Sequence, residues 1–233
     1  MSAVAARTWP PDWARVLVVV AHPDDESFAL GALLDRLVQD GAKASMLCLT
    51  RGEASTLGAE QDDLAAVRAD ELAAAGAVLG MTSTTALAHP DGGLAAIDRA
   101  ILAADVDDHV ARLRPDGILV FDPLAGVTGH PDHAAASLAA IAAAERRNLP
   151  VLGWALPQEV ADALNAQYGA SFVGYPVDDL IEVAVDRRRQ RMAIACHPSQ
   201  AVPGSVLWRR LELLGDREYL RVPTTTSNPG VLP

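Results

Sequence analysis

The chain has 233 residues, half of them hydrophobic, and a formal charge of −11 at pH 7. That is ample apolar material for one large domain, and an acidic balance with no basic cluster argues against a nucleic-acid backbone or an anionic membrane surface as partner. The two cysteines, Cys48 and Cys196, lack CxxC spacing and read as buried thiols rather than as a disulfide or redox pair.

Residues 1–14 read as a loose leader with a Trp-Pro-Pro turn, residues 15–222 as a single domain and residues 223–233, rich in Thr, Pro and Gly, as a flexible tail. Trp9-Pro10-Pro11-Asp12 interrupts any signal peptide, and no stretch approaches the roughly 20 apolar residues that span a bilayer. A cytoplasmic location is therefore expected.

Val16 to Val20 is an unbroken aliphatic run, the pattern of a strand buried on both faces at the centre of a parallel sheet. It runs into the turn Ala21-His22-Pro23-Asp24-Asp25-Glu26, after which Ser27 to Val38 has helical apolar spacing. Ala44 to Thr50 reads as the second strand, Arg51 to Gly58 as a polar loop, and Asp62 to Leu79 as a helix stopped by Gly80. A short strand, Thr84 to Leu87, leads to the turn His89-Pro90-Asp91-Gly92-Gly93, then a helix from Leu94 to Leu113.

Gly117 to Asp122 is a fourth buried strand. It is followed by a polar loop, the turn Gly129-His130-Pro131-Asp132-His133 and an alanine-rich helix. Pro150 to Ala155 is a fifth strand, and Gln158 to Asn165 a short helix. Ser171 to Tyr175 and Leu180 to Val183 read as edge strands, and Asp186 to Cys196 as a basic helix. The alternation predicts an α/β fold, a Rossmann-like three-layer α/β/α sandwich with a mostly parallel sheet. The apolar and aromatic content of residues 151–183 would suit the interface of a homo-oligomer.

Two charged turns, each following a buried strand, fall at the carboxyl edge of the sheet, where open α/β sheets bind ligands. His22 and Asp25 are three residues apart in one, His130 and His133 three apart in the other. A single His-Pro-Asp turn is commonly just a capped helix start. Two histidines and a carboxylate brought together suit Zn2+ with an open position, or another divalent metal, and such an ion lowers the pKa of a water to about 7. A neighbouring carboxylate, Asp24 or Asp25, is available to take the proton. His89 has no second ligand beside it, His109 reads as a solvated surface residue, and His197 fits the end of a helix. Arg68 and Glu71, three apart on one helix, read as a structural ion pair.

The two turns resemble the signatures of the PIG-L/LmbE-like zinc-dependent deacetylases, a family of N-acetylglucosaminyl deacetylases and amidases of low-molecular-weight thiol metabolism. Thr50-Arg51-Gly52-Glu53, Arg68 to Leu72, Asp91-Gly92 and Cys196-His197-Pro198-Ser199-Gln200 follow in the family's order. The resemblance implies that His22, Asp25 and His133 hold zinc and that Asp24 is the general base. It implies that His130 stabilises the oxyanion or protonates the leaving amine, that Asp132 orients the His130 ring, and that Asp91 binds sugar hydroxyls. Where some members carry a tyrosine before the second motif, this chain has Val127-Thr128-Gly129. The implied substrate is a small N-acylated amino sugar or glycoconjugate. The alternatives are an amidase of a thiol conjugate and a non-catalytic nucleotide- or metal-binding protein. A nucleotide is disfavoured by carboxylates standing where a pyrophosphate needs free amides.

Overall fold

The computed structural model describes residue 9, residues 11–58 and residues 60–223, so residues 1–8 of the expected leader and 224–233 of the expected tail lie outside the described residues. Among the described residues seven strands form one sheet: β1 (Arg15–Val20), β2 (Lys43–Thr50), β3 (Ser83–His89), β4 (Gly117–Phe121), β5 (Val151–Ala155), β6 (Ile181–Ala184) and β7 (Arg217–Arg221). Their order is β3-β2-β1-β4-β5-β7-β6. β1 pairs in parallel with both β2 and β4, so the order reverses direction between β1 and β4. That reversal opens a crevice at the strands' carboxyl ends.

Helices cover both faces: α1 (Asp25–Phe28), α2 (Gly31–Gln39), α3 (Leu64–Val78), α4 (Arg99–Leu113), α5 (Pro131–Arg147), α6 (Gln158–Tyr168), α7 (Arg188–Ile194) and α8 (Val206–Leu214). Side chains alternate across a strand, and β1 shows both destinations. Val16, Val18 and Val20 join Leu33, Leu37, Leu72 and Leu79 of α2 and α3 and the residue just after it on one face. Leu17 and Val19 join Leu102, Val106, Ala139 and Ala143 of α4 and α5 on the other. The three-layer sandwich follows directly from this alternation.

The structure departs from the sequence reading in five places. The leader is not loose at its end: Trp13 is buried against Gly117, where an added Cβ would come within 2.1 Å of the indole. The helix expected from Ser27 is broken at Ala29–Leu30 into α1 and α2. The helix expected from Leu94 starts as a 3-10 turn, extends at Ile97, and restarts at α4 with the Asp98 side chain accepting from Ala100 N at 2.8 Å. Ser171 to Tyr175 forms no strand of the sheet and makes only an isolated bridge between Tyr175 and Pro157. The helix α8 and strand β7 are additions to the expected elements. β7 escapes a hydrophobicity pattern because its inward residues are Glu218 and Leu220, the carboxylate buried against Trp154 Nε1 (2.9 Å) and Arg187 Nη1 (2.5 Å). Cys48 is buried, and that burial pushes its thiol up, out of reactive range; Cys196 is only half-buried.

Candidate metal centre and active site

The turn after β1 begins where the strand's hydrogen bonding ends. Asp25 Oδ2 accepts from the backbone N–H of His22 at 2.9 Å and of Ala21 at 3.2 Å, which fixes the turn and leaves Oδ1 facing outward. Asp24 adopts φ 116°, an unusual conformation for a residue with a side chain. Glu26 holds it there by accepting from Asp24 N at 2.9 Å. The second turn follows β4. Gly126, at φ +57°, lies so close to His133 that a Cβ there would come within 2.4 Å of the His133 Cβ. The loop is thereby drawn onto the first turn of α5, whose N-cap is His130.

These two turns meet across the crevice. His22 Nδ1 lies 3.1 Å from His133 Nε2, and the Asp25 carboxylate lies 3.1 Å from His133 Nε2 and 3.8 Å from His22 Nδ1. All three side chains are at most 10% exposed. Two imidazole nitrogens at this separation need a proton or a cation between their lone pairs, and a carboxylate on the same point adds charge for it. The outer nitrogens differ. His133 Nδ1 is 2.7 Å from Thr128 Oγ1, whereas His22 Nε2 faces two carboxylates at ion-pair distance, 3.2 Å from Asp91 Oδ1 and 3.5 Å from Asp132 Oδ2, without hydrogen-bond geometry to either. Histidines that bind metal are held by such outer partners, which fix the tautomer. The residues therefore fit a divalent cation of the zinc type.

Electrostatics tell the same story. Burial alone would lower the His22 imidazolium, but the carboxylates of Asp132 and Asp91 facing its Nε2 outweigh it and raise it to about 10. So many carboxylates around one ring ask for positive charge. Against its own burial, Asp25 is held well below the usual carboxylate range by His133 and His22. Burial pushes Asp24 up to about 7, opposed by the Arg68 guanidinium and reinforced by Asp25. Burial and the neighbouring rings of His22 and His133 lower His130.

His130 stands 4.7 Å, ring to ring, from His22, and its Nδ1 accepts from Asp132 N at 3.2 Å. Orientation of His130 thus comes from the backbone N–H of Asp132, not from its carboxylate as the resemblance implied. That carboxylate is buried, accepts from Gly92 N (2.9 Å) and Leu94 N (3.0 Å), and faces His22. Asp91 is likewise turned to protein donors, accepting from Ala54 N at 2.9 Å.

Four residues that sequence reasoning left out surround the centre. Arg68 bonds Asp24 Oδ2 at 3.0 Å, Gly52 O at 2.7 Å and Pro23 O, whereas its expected partner Glu71 bonds Ser199 Oγ at 2.6 Å. Glu26 and His197 are both fully buried and 2.6 Å apart, joining the first turn to a residue 171 positions later. Arg210 of α8 donates to Phe28 O. A glutamate next to two aspartates and histidines and arginines distant in sequence carry no local signal of this kind. The cues were the resemblance segments that contain Glu26, Arg68 and His197, which named these residues without a role; Arg210 had none. His89 pairs with Asp105 at 2.7 Å, and His109 Nδ1 with the Asp105 carbonyl at 2.9 Å.

The centre opens into a cavity of about 670 Å³ that also reaches Phe28, Phe121, Phe172 and Leu207, a volume within the usual range for small-molecule sites. The family model of PIG-L, GlcNAc-PI de-N-acetylase, matches residues 17–144. A 1D-myo-inositol 2-acetamido-2-deoxy-alpha-D-glucopyranoside deacetylase of Nakamurella multipartita is 33% identical over 90% of this chain and 89% of its own length. A protein of the same description from Rhodococcus erythropolis is 34% identical over 62% of this chain and 59% of its own length. The solved N,N'-diacetylchitobiose deacetylase of Pyrococcus horikoshii shares the fold, with a TM-score of 0.65 at 21% identity over 91% of this chain and 84% of that one. The matched segment carries both histidine turns, and the likeness to the Nakamurella protein runs on through the C-terminal elements behind them, so this chain belongs to the PIG-L, GlcNAc-PI de-N-acetylase family.

Proposed function

We propose that the protein is a zinc-dependent N-deacetylase that hydrolyses the acetamide of a small N-acetylated amino-sugar conjugate. The observation that carries this reading is the convergence of His22 Nδ1, His133 Nε2 and the Asp25 carboxylate beside Asp24 in one open cavity. The relatives named above are deacetylases of N-acetylated sugars, which supports the substrate class.

In this reading His22, Asp25 and His133 hold the ion. When bound, it supplies Lewis acidity, polarising the amide carbonyl and acidifying a water. Asp24 takes the proton from the attacking water. Arg68, on Asp24 Oδ2, leaves Oδ1 free for that task. A base poised near neutrality can also return the proton to the departing nitrogen, and a cation beside Asp24 lowers its pKa further into the working range.

His130 acts as the oxyanion donor. Its Nδ1 accepts a backbone N–H, so the ring's own proton sits on Nε2, and lowering of its pKa keeps it neutral. A neutral ring with a fixed N–H stabilises developing negative charge without reorganisation. Asp132 and Asp91 orient His22 through Nε2. Asp91, 3.2 Å from His22 Nε2, serves in this reading on the outer side of His22.

The test is metal content by mass spectrometry together with acetate release from N-acetylglucosaminyl-inositol and methyl N-acetylglucosaminide. Near one zinc per chain and acetate release that is lost on chelation and regained on adding zinc is the expected result. Protein that takes up no metal after incubation with zinc overturns the reading.

A further inference from the structure

Two arginines line the cavity, and their charges are balanced differently. Arg68 faces Asp24 at 3.0 Å. Arg210 is 6% exposed and has no carboxylate within ion-pair distance among the described residues. Its Nη2 donates to the Phe28 carbonyl, its guanidinium carbon lies 4.9 Å from the Trp154 ring centroid, and its buried Nε has no hydrogen-bond partner.

The charged groups that act on Arg210 are Glu218, Arg187 and Asp25. Neither carboxylate is available to it. Glu218 is bound to Arg187 and to Trp154 Nε1, and Asp25 to the two histidines and the backbone of its turn. Arg187, Glu218 and Arg210 together leave one positive charge unmatched at the cavity wall. Burial lowers Arg210 only to about 10, so it stays ionised at neutral pH. An ionised group held away from water without a counter-charge is unfavourable. A guanidinium is also the side chain best shaped to grip a carboxylate or phosphate.

We propose that Arg210 is a recognition residue for an anionic substituent, a carboxylate or a phosphate, carried by the N-acylated amino-sugar substrate, which supplies the counter-charge that the protein omits. The inference deepens the deacetylase reading and rests on it. The ligand's anion would sit on the α8 side of the cavity, beside Phe28 and Leu207, with the acetamide at His22 and His133.

The experiment compares kcat/KM of the zinc-loaded protein for methyl N-acetylglucosaminide, N-acetylmuramic acid and N-acetylglucosamine 6-phosphate, in wild type, Arg210→Lys and Arg210→Met. At least a tenfold preference for one of the two anionic sugars is expected in wild type, and which one identifies the group. The ratio should fall to about one in Arg210→Met and be partly retained in Arg210→Lys. A purely structural arginine would lower all three rates alike and leave the ratios unchanged, which overturns the proposal, as does equal wild-type kcat/KM for the three sugars. Should Arg210→Met not fold, the wild-type ratios and Arg210→Lys decide alone. If neither these sugars nor N-acetylglucosaminyl-inositol is deacetylated, the deacetylase reading fails, and calorimetric titration of the same three sugars decides for Arg210. Tenfold tighter binding of an anionic sugar supports it, and equal binding overturns it.

Discussion

At the scale of single residues, Asp24 and His133 separate chemistry from metal binding. His133→Ala removes one of two imidazoles from a three-ligand site, so zinc per chain is expected to fall from near one to near zero by mass spectrometry. Asp24→Asn keeps the hydrogen bond to Arg68 in reach and leaves His22, Asp25 and His133 in place. Zinc content should be retained while kcat falls about 10²- to 10⁴-fold, the usual worth of a positioned base. The pH profile follows from the same group. Asp24 works deprotonated and its pKa is pushed up to about 7, so kcat/KM should be lost as pH falls through a value at or below 7. An acid limb that persists unchanged in Asp24→Asn would show that another group is titrating.

The convergence of these residues was legible in the sequence because both charged turns directly follow central strands and so fall at one sheet edge, His22 and Asp25 in one and His130 and His133 in the other. Arg68 was misread because helical spacing to Glu71 suggests a local pair, whereas each side chain found a partner across the crevice: Arg68 the Asp24 turn, Glu71 the Ser199 backbone and hydroxyl. The partners of the Asp132 carboxylate, Gly92 N and Leu94 N, were not legible, because sequence adjacency to His130 says nothing of which atoms meet.

Among the elements, α1 is too short to stand alone, at four residues. It is held by groups from the chain's last third: Gln190 Nε2 on Ser27 O (3.1 Å) and Phe28 O (3.2 Å), and His197 Nε2 on Glu26. Breaking a fully buried pair by deleting one partner typically costs about 3–5 kcal/mol. His197→Ala is therefore expected to lower the denaturation midpoint measurably, with the Asp24 turn loosened as well. The pH dependence has a definite sign. Burial lowers His197, but Glu26 outweighs it and leaves its pKa raised above 6.5. The pair's contribution is complete below the ordinary histidine range and is lost as pH rises through the raised value. The difference in stability between wild type and His197→Ala should thus shrink towards alkaline pH. Gly126→Ala tests the other turn. The new methyl meets His133 Cβ at 2.4 Å and Ala134 N at 2.6 Å in a left-handed conformation, so both Tm and zinc retention should fall.

For the whole molecule, the unbroken aliphatic run of β1 and the succession of strands and helices made the three-layer fold readable, while the antiparallel end of the sheet was not. β7 buries Glu218, and a strand that turns a carboxylate inward defeats any hydrophobicity pattern. Among the described residues no helix is long and apolar enough to cross a membrane. A ligand that binds only the folded chain stabilises it by mass action, so adding zinc to chelated protein should raise Tm in a concentration-dependent way. An unchanged Tm would mean that the centre contributes no binding energy to folding.

The pairing of early and late segments has a consequence for how the protein is made. His22, Asp25 and His133 have all left the ribosome before Arg187, Gln190, His197 and Arg210 are synthesised. Chains grow at roughly 5–20 residues per second and their N-terminal parts begin to fold first. The three residues proposed to hold the metal and the central strands β1 and β4 are thus synthesised several seconds before the elements that brace α1 and close the cavity. In the proposed reading, the residues that would capture the metal precede in synthesis those that complete the substrate pocket, so the pocket's last wall is the last part of the site to be made.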